Sequence, residues 1–164
     1  MKKDVRASIW GTGSYLPKKV LTNADLEKMV ETSDEWISTR TGIKERRIAS
    51  AEEFSSFMGA KAAEKAIEAA KISKSQIDCI VFATAAPDYI SPSSAALAQA
   101  YLGIKEVPAF DCLVACTGFL YGLSIAKAYV EAGMYQCVLV IAADKLSSFV
   151  NYEDRNTCVL FGDG

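Results

Sequence analysis

Cys116 is the residue of this chain whose type and setting best suit chemistry. The apolar run at residues 107–111 predicts a short strand, and the apolar pattern at residues 116–131 predicts a long helix that begins at the cysteine. Unpaired amides and the helix dipole favour a negative charge at a helix start, and this setting lowers the pKa of a cysteine. Gly118 and Gly122 give the predicted helix a flank without side chains, which leaves room beside the sulfur. The thiolate of Cys116 could therefore attack a carbonyl or thioester carbon.

A structural role for Cys116 is the alternative, because free cysteines are often buried and inert. The chain has no histidine, which excludes a Cys-His dyad and histidine-ligated metal sites within it. Three residues separate Cys112 from Cys116, whereas redox and zinc motifs usually have two, so we expect no metal site. Spacing alone leaves both roles of Cys116 open. The cysteine count is odd, and three lie in apolar runs typical of strands, which favours reduced thiols in a cytoplasmic protein; the five are Cys79, Cys112, Cys116, Cys137 and Cys158.

The run from Ala109 to Phe119, Ala-Phe-Asp-Cys-Leu-Val-Ala-Cys-Thr-Gly-Phe, resembles the nucleophile motif of a known enzyme family. That family is β-ketoacyl-acyl-carrier-protein synthase III, the condensing enzyme that starts type II fatty-acid synthesis. Other motifs resemble the same family in the same order, so the resemblance covers essentially the whole chain and favours the catalytic role of Cys116. These motifs are Gly11 to Pro17, Thr22 to Met29, Thr32 to Ile37, Thr39 to Ile43, Asp154-Arg155 and Phe161 to Gly164.

The family resemblance implies an acyltransferase reaction. The Cys116 thiolate would attack the thioester of acetyl-coenzyme A, or of another short acyl-coenzyme A, and form an acyl-enzyme. Malonyl-acyl-carrier protein would then lose carbon dioxide and take the acyl group to give a β-ketoacyl product. The resemblance implies no cofactor, since coenzyme A is part of the substrate, and it implies a cytoplasmic homodimer.

Four residues are candidates for binding coenzyme A on the same resemblance. Trp36 and Arg155 match family residues that stack on the adenine, and Thr32 and Arg40 match residues that hold the nucleotide end. Indole and guanidinium planes both stack on a purine, and arginine binds phosphate through two nitrogens. Without the resemblance, the tryptophan would be interpreted as a core residue and the arginines as surface residues. Where many family members carry a phenylalanine that limits the acyl pocket, this chain has Ser91, which leaves the acyl primer open.

The elements that must position these residues alternate between strand and helix. Such alternation predicts right-handed crossovers and a mostly parallel sheet. We expect one α/β domain at residues 1–164, with a five-stranded sheet and helices on both faces; by resemblance this is the N-terminal half of a thiolase-like αβαβα fold. Lys44 to Arg47 is interpreted as a solvated charged face. Strands are predicted at residues 5–10, 77–84, 107–111, 136–144 and 157–161, and helices from Thr22, Asp34, Ala51, Ser91-Pro92 and Cys116, with ends at Gly103 and Gly133 for the last two.

The bulk composition excludes some classes of partner. With 51% hydrophobic residues, 23% charged residues and a net charge of −2, the chain is typical of a globular protein and does not favour nucleic-acid binding. No stretch has the length and apolarity of a membrane span, and Met1 to Arg6 lacks the apolar run of a signal peptide. We therefore expect no membrane and no nucleic-acid partner.

In the resembled family, a second and similar half contributes a histidine and an asparagine to the active site. Because this chain stops at Gly164, we expect that it is a truncated form or that a partner supplies the remaining groups. Two other functions stay open. One is another thiolase-fold acyltransferase, such as a secondary-metabolite ketosynthase or a hydroxymethylglutaryl-coenzyme A synthase. The other is a non-catalytic ketosynthase-like partner subunit; such subunits typically lack the nucleophile, whereas Cys116 is present.

Overall fold

Strands and helices alternate along most of the chain. The computed structural model describes residues 5–164. Residues Met1 to Asp4 lie outside the described part, and they include most of the segment that lacks the apolar run of a signal peptide. The strands are β1 (Lys19–Thr22), β2 (Glu45–Ile48), β3 (Cys79–Thr84), β4 (Ala109–Leu113) and β5 (Val138–Ala142). The helices are α1 (Asn23–Leu26), α2 (Asp34–Thr41), α3 (Ser55–Ala70), α4 (Ser94–Leu102), α5 (Gly118–Glu131) and α6 (Arg155–Cys158).

The described residues form two compact units, and each has its own sheet. The first unit contains residues 5–15 and Ser55–Asp144, and the second contains Leu16–Phe54 and Lys145–Gly164. In the first unit the strand order is β4-β3-β5 and all pairings are parallel. In the second unit β1 and β2 form an antiparallel pair. The parallel sheet is confirmed, but the prediction of a single five-stranded sheet is wrong for the described residues.

Helices cover both faces of the parallel sheet, as predicted. Successive side chains of a strand point to opposite faces, so Val81 and Phe82 of β3 meet different helices. A β-carbon added to Gly122 of α5 would meet Val140 and Val81, whereas one added to Gly59 of α3 would meet Phe82. Because it is central and covered twice, β3 is buried along its whole length, which explains its continuous apolar sequence.

Two predicted strands are absent from the described structure. Residues 5–10 are exposed and carry no strand, and the chain then follows α3, where a β-carbon on Gly11 or Gly13 would collide with the helix backbone. Residues 157–161 begin as part of α6, because the Asp154 carboxylate caps this helical turn by accepting from Asn156 N at 2.9 Å. Leu160 and Phe161 of this run are 46% and 37% exposed, whereas Cys158 and Val159 are part of the core of the second unit. Its buried residues are Leu26, Ile37, Cys158 and Val159.

Capping residues set most helix ends where the sequence predicts them. Thr22 and Asp25 form the predicted capping box, with each backbone amide donating to the other side chain at 3.2 Å. Helix α4 ends at Gly103, with φ +67°, as predicted, but its N-cap is Ser93 and not Ser91. Pro92 follows a cis peptide bond before the helix begins.

Other boundaries shift by a few residues, and one charged segment was misinterpreted. Helix α3 starts at Ser55 and not near Ala51, and α2 extends to Thr41. The segment interpreted as a solvated face forms β2, where Arg46 is only 5% exposed. Within the described residues no helix combines the length and apolarity that crossing a bilayer requires.

Candidate functional site

Cys116 lies in the loop that leads from β4 into α5. The helix begins at Gly118, with Thr117 as its N-cap, so the cysteine precedes the first turn and does not start it as predicted. Its side chain is exposed, whereas Cys112 is partly buried. Burial raises the pKa of the other three thiols, so at neutral pH they are held in the protonated form; these are Cys79, Cys137 and Cys158. Among the five cysteines, Cys116 is the exposed one, Cys112 and Cys137 are partly buried, and Cys79 and Cys158 are buried.

Gly118 and Gly122 seat α5 on the sheet. Both are buried. A β-carbon on Gly118 would lie 3.1 Å from Cβ of Ala83, and one on Gly122 would lie 2.8 Å from Cγ1 of Val140. Ordinary contact begins at 3.4 Å, so the two glycines allow α5, and with it the loop of Cys116, to lie closer to the sheet than a side chain permits.

Two aspartates of the first unit, Asp111 and Asp144, bind backbone amides of neighbouring segments and were not predicted as site residues. Asp144 follows β5 and accepts hydrogen bonds from Thr84 Oγ1 and Ala85 N, both at 2.7 Å. Asp111 of β4 accepts from Ser94 N at 2.8 Å and so caps the start of α4. The Asp144 carboxylate thus binds the backbone that follows β3, and the Asp111 carboxylate binds the backbone at the start of α4. In open parallel sheets, ligands bind at the carboxyl ends of the strands, and this rule could have singled out Asp144 at the end of its predicted strand.

Trp36, Arg40 and Arg155 lie together in the second unit, although sequence spacing could not bring them together. The Cζ atom of Arg40 lies 4.4 Å from the centroid of the Trp36 ring, and that of Arg155 lies 4.3 Å from it. Both distances fall within the range of cation–π contacts. Two guanidinium groups therefore flank one indole at a partly exposed position.

Two shallow depressions meet at Trp36. One is lined by Thr32, Ser33, Glu31 and Arg155 together with the indole. Here Thr32 Oγ1 is buried and has no hydrogen-bond partner among the described residues. The other depression is lined by Ser33, Glu35, Trp36, Thr39 and Arg40. The arrangement offers a stacking surface and two positive charges, which suits a planar, anionic ligand.

Comparisons with known proteins show similarity to one enzyme family. Residues 110–164 match the family model for 3-oxoacyl-[acyl-carrier-protein] synthase III. The chain is 99% identical over 160 residues to the β-ketoacyl-[acyl-carrier-protein] synthase III of Chlamydia muridarum, an alignment that covers 98% of this chain and 49% of that relative. Over 98% of its length the chain is therefore similar to about half of a β-ketoacyl-[acyl-carrier-protein] synthase III. The family resemblance carried by the sequence motifs is thus confirmed.

Solved structures of synthase III proteins share the fold. The crystal structure from Aquifex aeolicus superposes with a TM-score of 0.92 at 56% identity, and the match covers 94% of this chain and 50% of that one. The crystal structure of a priming β-ketosynthase from the R1128 polyketide pathway superposes with a TM-score of 0.92 at 36% identity. The match covers 100% of this chain and 50% of the ketosynthase chain. The chain spans about half the length of the curated relatives it matches. It has the fold predicted for the N-terminal half of a thiolase-like protein.

Proposed function

We propose that the protein containing this chain is a β-ketoacyl-acyl-carrier-protein synthase III that condenses a short acyl-coenzyme A with malonyl-acyl-carrier protein. The observation that carries the proposal is the 99% identity to the synthase III of Chlamydia muridarum. The exposed thiol of Cys116 beside α5 supports it, because an acyl-enzyme mechanism needs an accessible nucleophile. We also propose a cytoplasmic homodimer that needs no cofactor and in which residues 1–164 form one half-domain.

The proposed chemistry has two steps at Cys116. First the thiolate forms a bond to the acyl carbonyl carbon, and coenzyme A leaves as a thiolate that takes up a proton. Next malonyl-acyl-carrier protein releases carbon dioxide, and the resulting carbanion attacks the acyl carbon and expels the Cys116 thiolate. Backbone amides at the start of α5 are suited to stabilise the negative oxygen that forms in both steps. In other acyl-transfer enzymes, each hydrogen-bond donor to such an oxygen is worth about 10²-fold in rate.

We propose that Trp36, Arg155, Arg40 and Thr32 bind the nucleotide part of coenzyme A. In the structure the Arg155 guanidinium contacts the indole at 4.3 Å. An adenine stacked between the indole and the guanidinium requires these two planes to be about 7 Å apart, which is twice the distance of two atoms in contact. Arg155 must therefore move outward by about 3 Å when the ligand binds. Arg40 supports a role at the phosphates because its side chain is exposed at the edge of the same surface.

Acetyl-coenzyme A labelling of the full-length protein tests the role of Cys116. We expect one radiolabelled acetyl group per active site, complete loss of the label in Cys116→Ala, and β-ketoacyl product when malonyl-acyl-carrier protein is added to the wild type. The control is Cys112→Ala, four residues away and partly buried, which should keep the label. Label that persists in Cys116→Ala would contradict the proposal.

A polyketide priming ketosynthase is the second candidate, because such an enzyme shares the fold at a TM-score of 0.92. It would use the same acyl-enzyme step with a different primer. A panel of acyl-coenzyme A primers separates the two: preference for acetyl groups supports fatty-acid initiation, and preference for longer or branched primers supports the alternative.

A further inference from the structure

Arg46 is a buried cation in the second unit, and it contacts two separate segments, residues 21–23 and Val159. Its side chain is 5% exposed. Nη1 donates to the carbonyl of Leu21 at 3.1 Å, and Nη2 donates to Oδ1 of Asn23 and to the carbonyl of Val159, both at 2.9 Å. All three acceptors are neutral. Burial of a charge without an ionic partner is costly, and the hydrogen bonds offset that cost only while both segments stay in place.

Asn23 connects Arg46 to the helix that carries Trp36. The asparagine is 2% exposed, and its amide nitrogen donates to Oδ1 of Asp34 at 2.7 Å and to the carbonyl of Ile43 at 2.8 Å. Asp34 is the first residue of α2, and Ile43 follows the glycine that ends it. The carboxamide of Asn23 therefore contacts both ends of α2, while its oxygen is held by Arg46.

Val159 connects Arg46 to the helix that carries Arg155. Val159 is the C-cap of α6, and Arg155 is the first residue of that helix. A helical turn of four residues is marginal by itself, and its terminal carbonyls need partners. The guanidinium of Arg46 supplies one of these partners and adds a positive charge at the C-terminal end, where the helix dipole favours it.

We propose that Arg46 is a positioning residue for the coenzyme A site and that it sets the separation of Trp36 and Arg155. It does so through Asn23 on one side and the Val159 carbonyl on the other, without contact to the ligand. This inference rests on the proposed function of Trp36 and Arg155. Without Arg46, α6 loses its anchor, Arg155 samples more positions, and the ligand must order this side chain when it binds.

Steady-state kinetics of the full-length Arg46→Lys variant tests the proposal. A lysine keeps the charge, but its single ammonium cannot reproduce the two-nitrogen geometry that serves Asn23, Leu21 and Val159. We expect KM for acetyl-coenzyme A to rise about tenfold with kcat nearly unchanged, as for loss of ordered binding. With acetyl-pantetheine, which lacks the nucleotide, the kinetics should match those of the wild type. A purely structural role would alter both substrates equally.

The matched control is Arg47→Lys on the same strand. Arg47 is partly buried and contacts the carboxylate of Glu45 at 3.6 Å and the carbonyl of Pro17 at 3.3 Å. This variant should leave both substrates unaffected. If Arg46→Lys does not fold, as judged by its melting temperature, Asn23→Ser replaces it, because it breaks the link to Asp34 and leaves Arg46 in the protein.

Trp36→Ala and Arg155→Ala distinguish the possible failures. If both raise KM for acetyl-coenzyme A while Arg46→Lys and Asn23→Ser do not, the positioning role is wrong and the coenzyme A site stands. If neither Trp36→Ala nor Arg155→Ala affects KM, the proposed binding site is wrong and the inference fails with it. Equal effects of Arg46→Lys on acetyl-coenzyme A and acetyl-pantetheine would also overturn the positioning role.

Discussion

Substitution of Gly122 by alanine should move the catalytic loop while leaving the thiol intact. The added methyl would lie 2.8 Å from Cγ1 of Val140, about 0.6 Å short of ordinary contact. Valine is restricted at χ1 in a strand, so its methyl cannot easily turn away. We expect α5 to lift from the sheet by about that distance and to take with it the loop of Cys116, which precedes the first turn of the helix.

The expected effects on stability and on rate differ in size. Replacing glycine in a helix gains about 1 kcal/mol, and overpacking costs about 1–3 kcal/mol, so the net destabilisation should be about 0–2 kcal/mol. A displacement of 1 Å at a reacting centre can cost about 10²-fold in rate, and we therefore expect acylation of Cys116 by acetyl-coenzyme A to slow by about tenfold. The Gly122→Ala variant should therefore fold, but its Cys116 should be acylated more slowly.

Single-turnover acylation of the full-length enzyme measures the rate, and urea unfolding measures the stability. Alkylation by iodoacetamide should change little, since it demands less exact geometry than acyl transfer. Ser124→Ala is the matched control, because it lies on the exposed side of α5 and adds no contact with the sheet. The double variant Gly122→Ala, Val140→Ala removes the colliding methyl and should restore much of the acylation rate.

Two results would refute this reasoning. If Gly122→Ala acylates at the wild-type rate, the helix accommodates the methyl without moving Cys116. If the rate falls but Val140→Ala does not restore it, the contact with the sheet is not the cause. A parallel loss of iodoacetamide reactivity would point to a change in the thiol itself.

Two further predictions concern titrating groups. In limited iodoacetamide labelling of the full-length protein followed by peptide mapping, Cys116 should react first; earlier modification of any buried thiol would contradict this. The pH-dependent increase in labelling should come at higher pH for Cys137 than for an ordinary thiol, because burial raises the pKa of Cys137. Hydrogen bonds from the Thr22 hydroxyl and from Lys28 lower the pKa of Asp25 from 3.8 to about 2, so their support of α1 is present above pH 3.8 and is lost as pH falls towards 2. Carbon-detected titration should show the pKa of Asp25 rising in Thr22→Val, and an unchanged value would rule out the hydroxyl as the main cause.

Local sequence signals predicted those parts of the fold that local chemistry determines. The buried strand β3 is a continuous apolar run, and the capping box at Thr22 and the glycine that ends α4 are short-range patterns. The same signals failed at residues 157–161, where an apolar run typical of a strand forms a helical turn because Asp154 caps it. There the capping side chain outweighed β propensity, and the run is buried at Cys158 and Val159 but exposed at Leu160 and Phe161.

The candidate sites depend on contacts that no local pattern contains. Arg46 was interpreted as a surface charge because its neighbours are charged, yet the acceptors that bury it include Asn23 and Val159, which are 23 and 113 residues away along the chain. The stacking of Trp36 and Arg155 likewise joins distant segments, and only the family resemblance placed them on one ligand. For both, a polar side chain is fixed by partners from another segment. If Arg46 positions Trp36 and Arg155 as proposed, coenzyme A binding depends on an arginine that the sequence pattern predicts to be exposed.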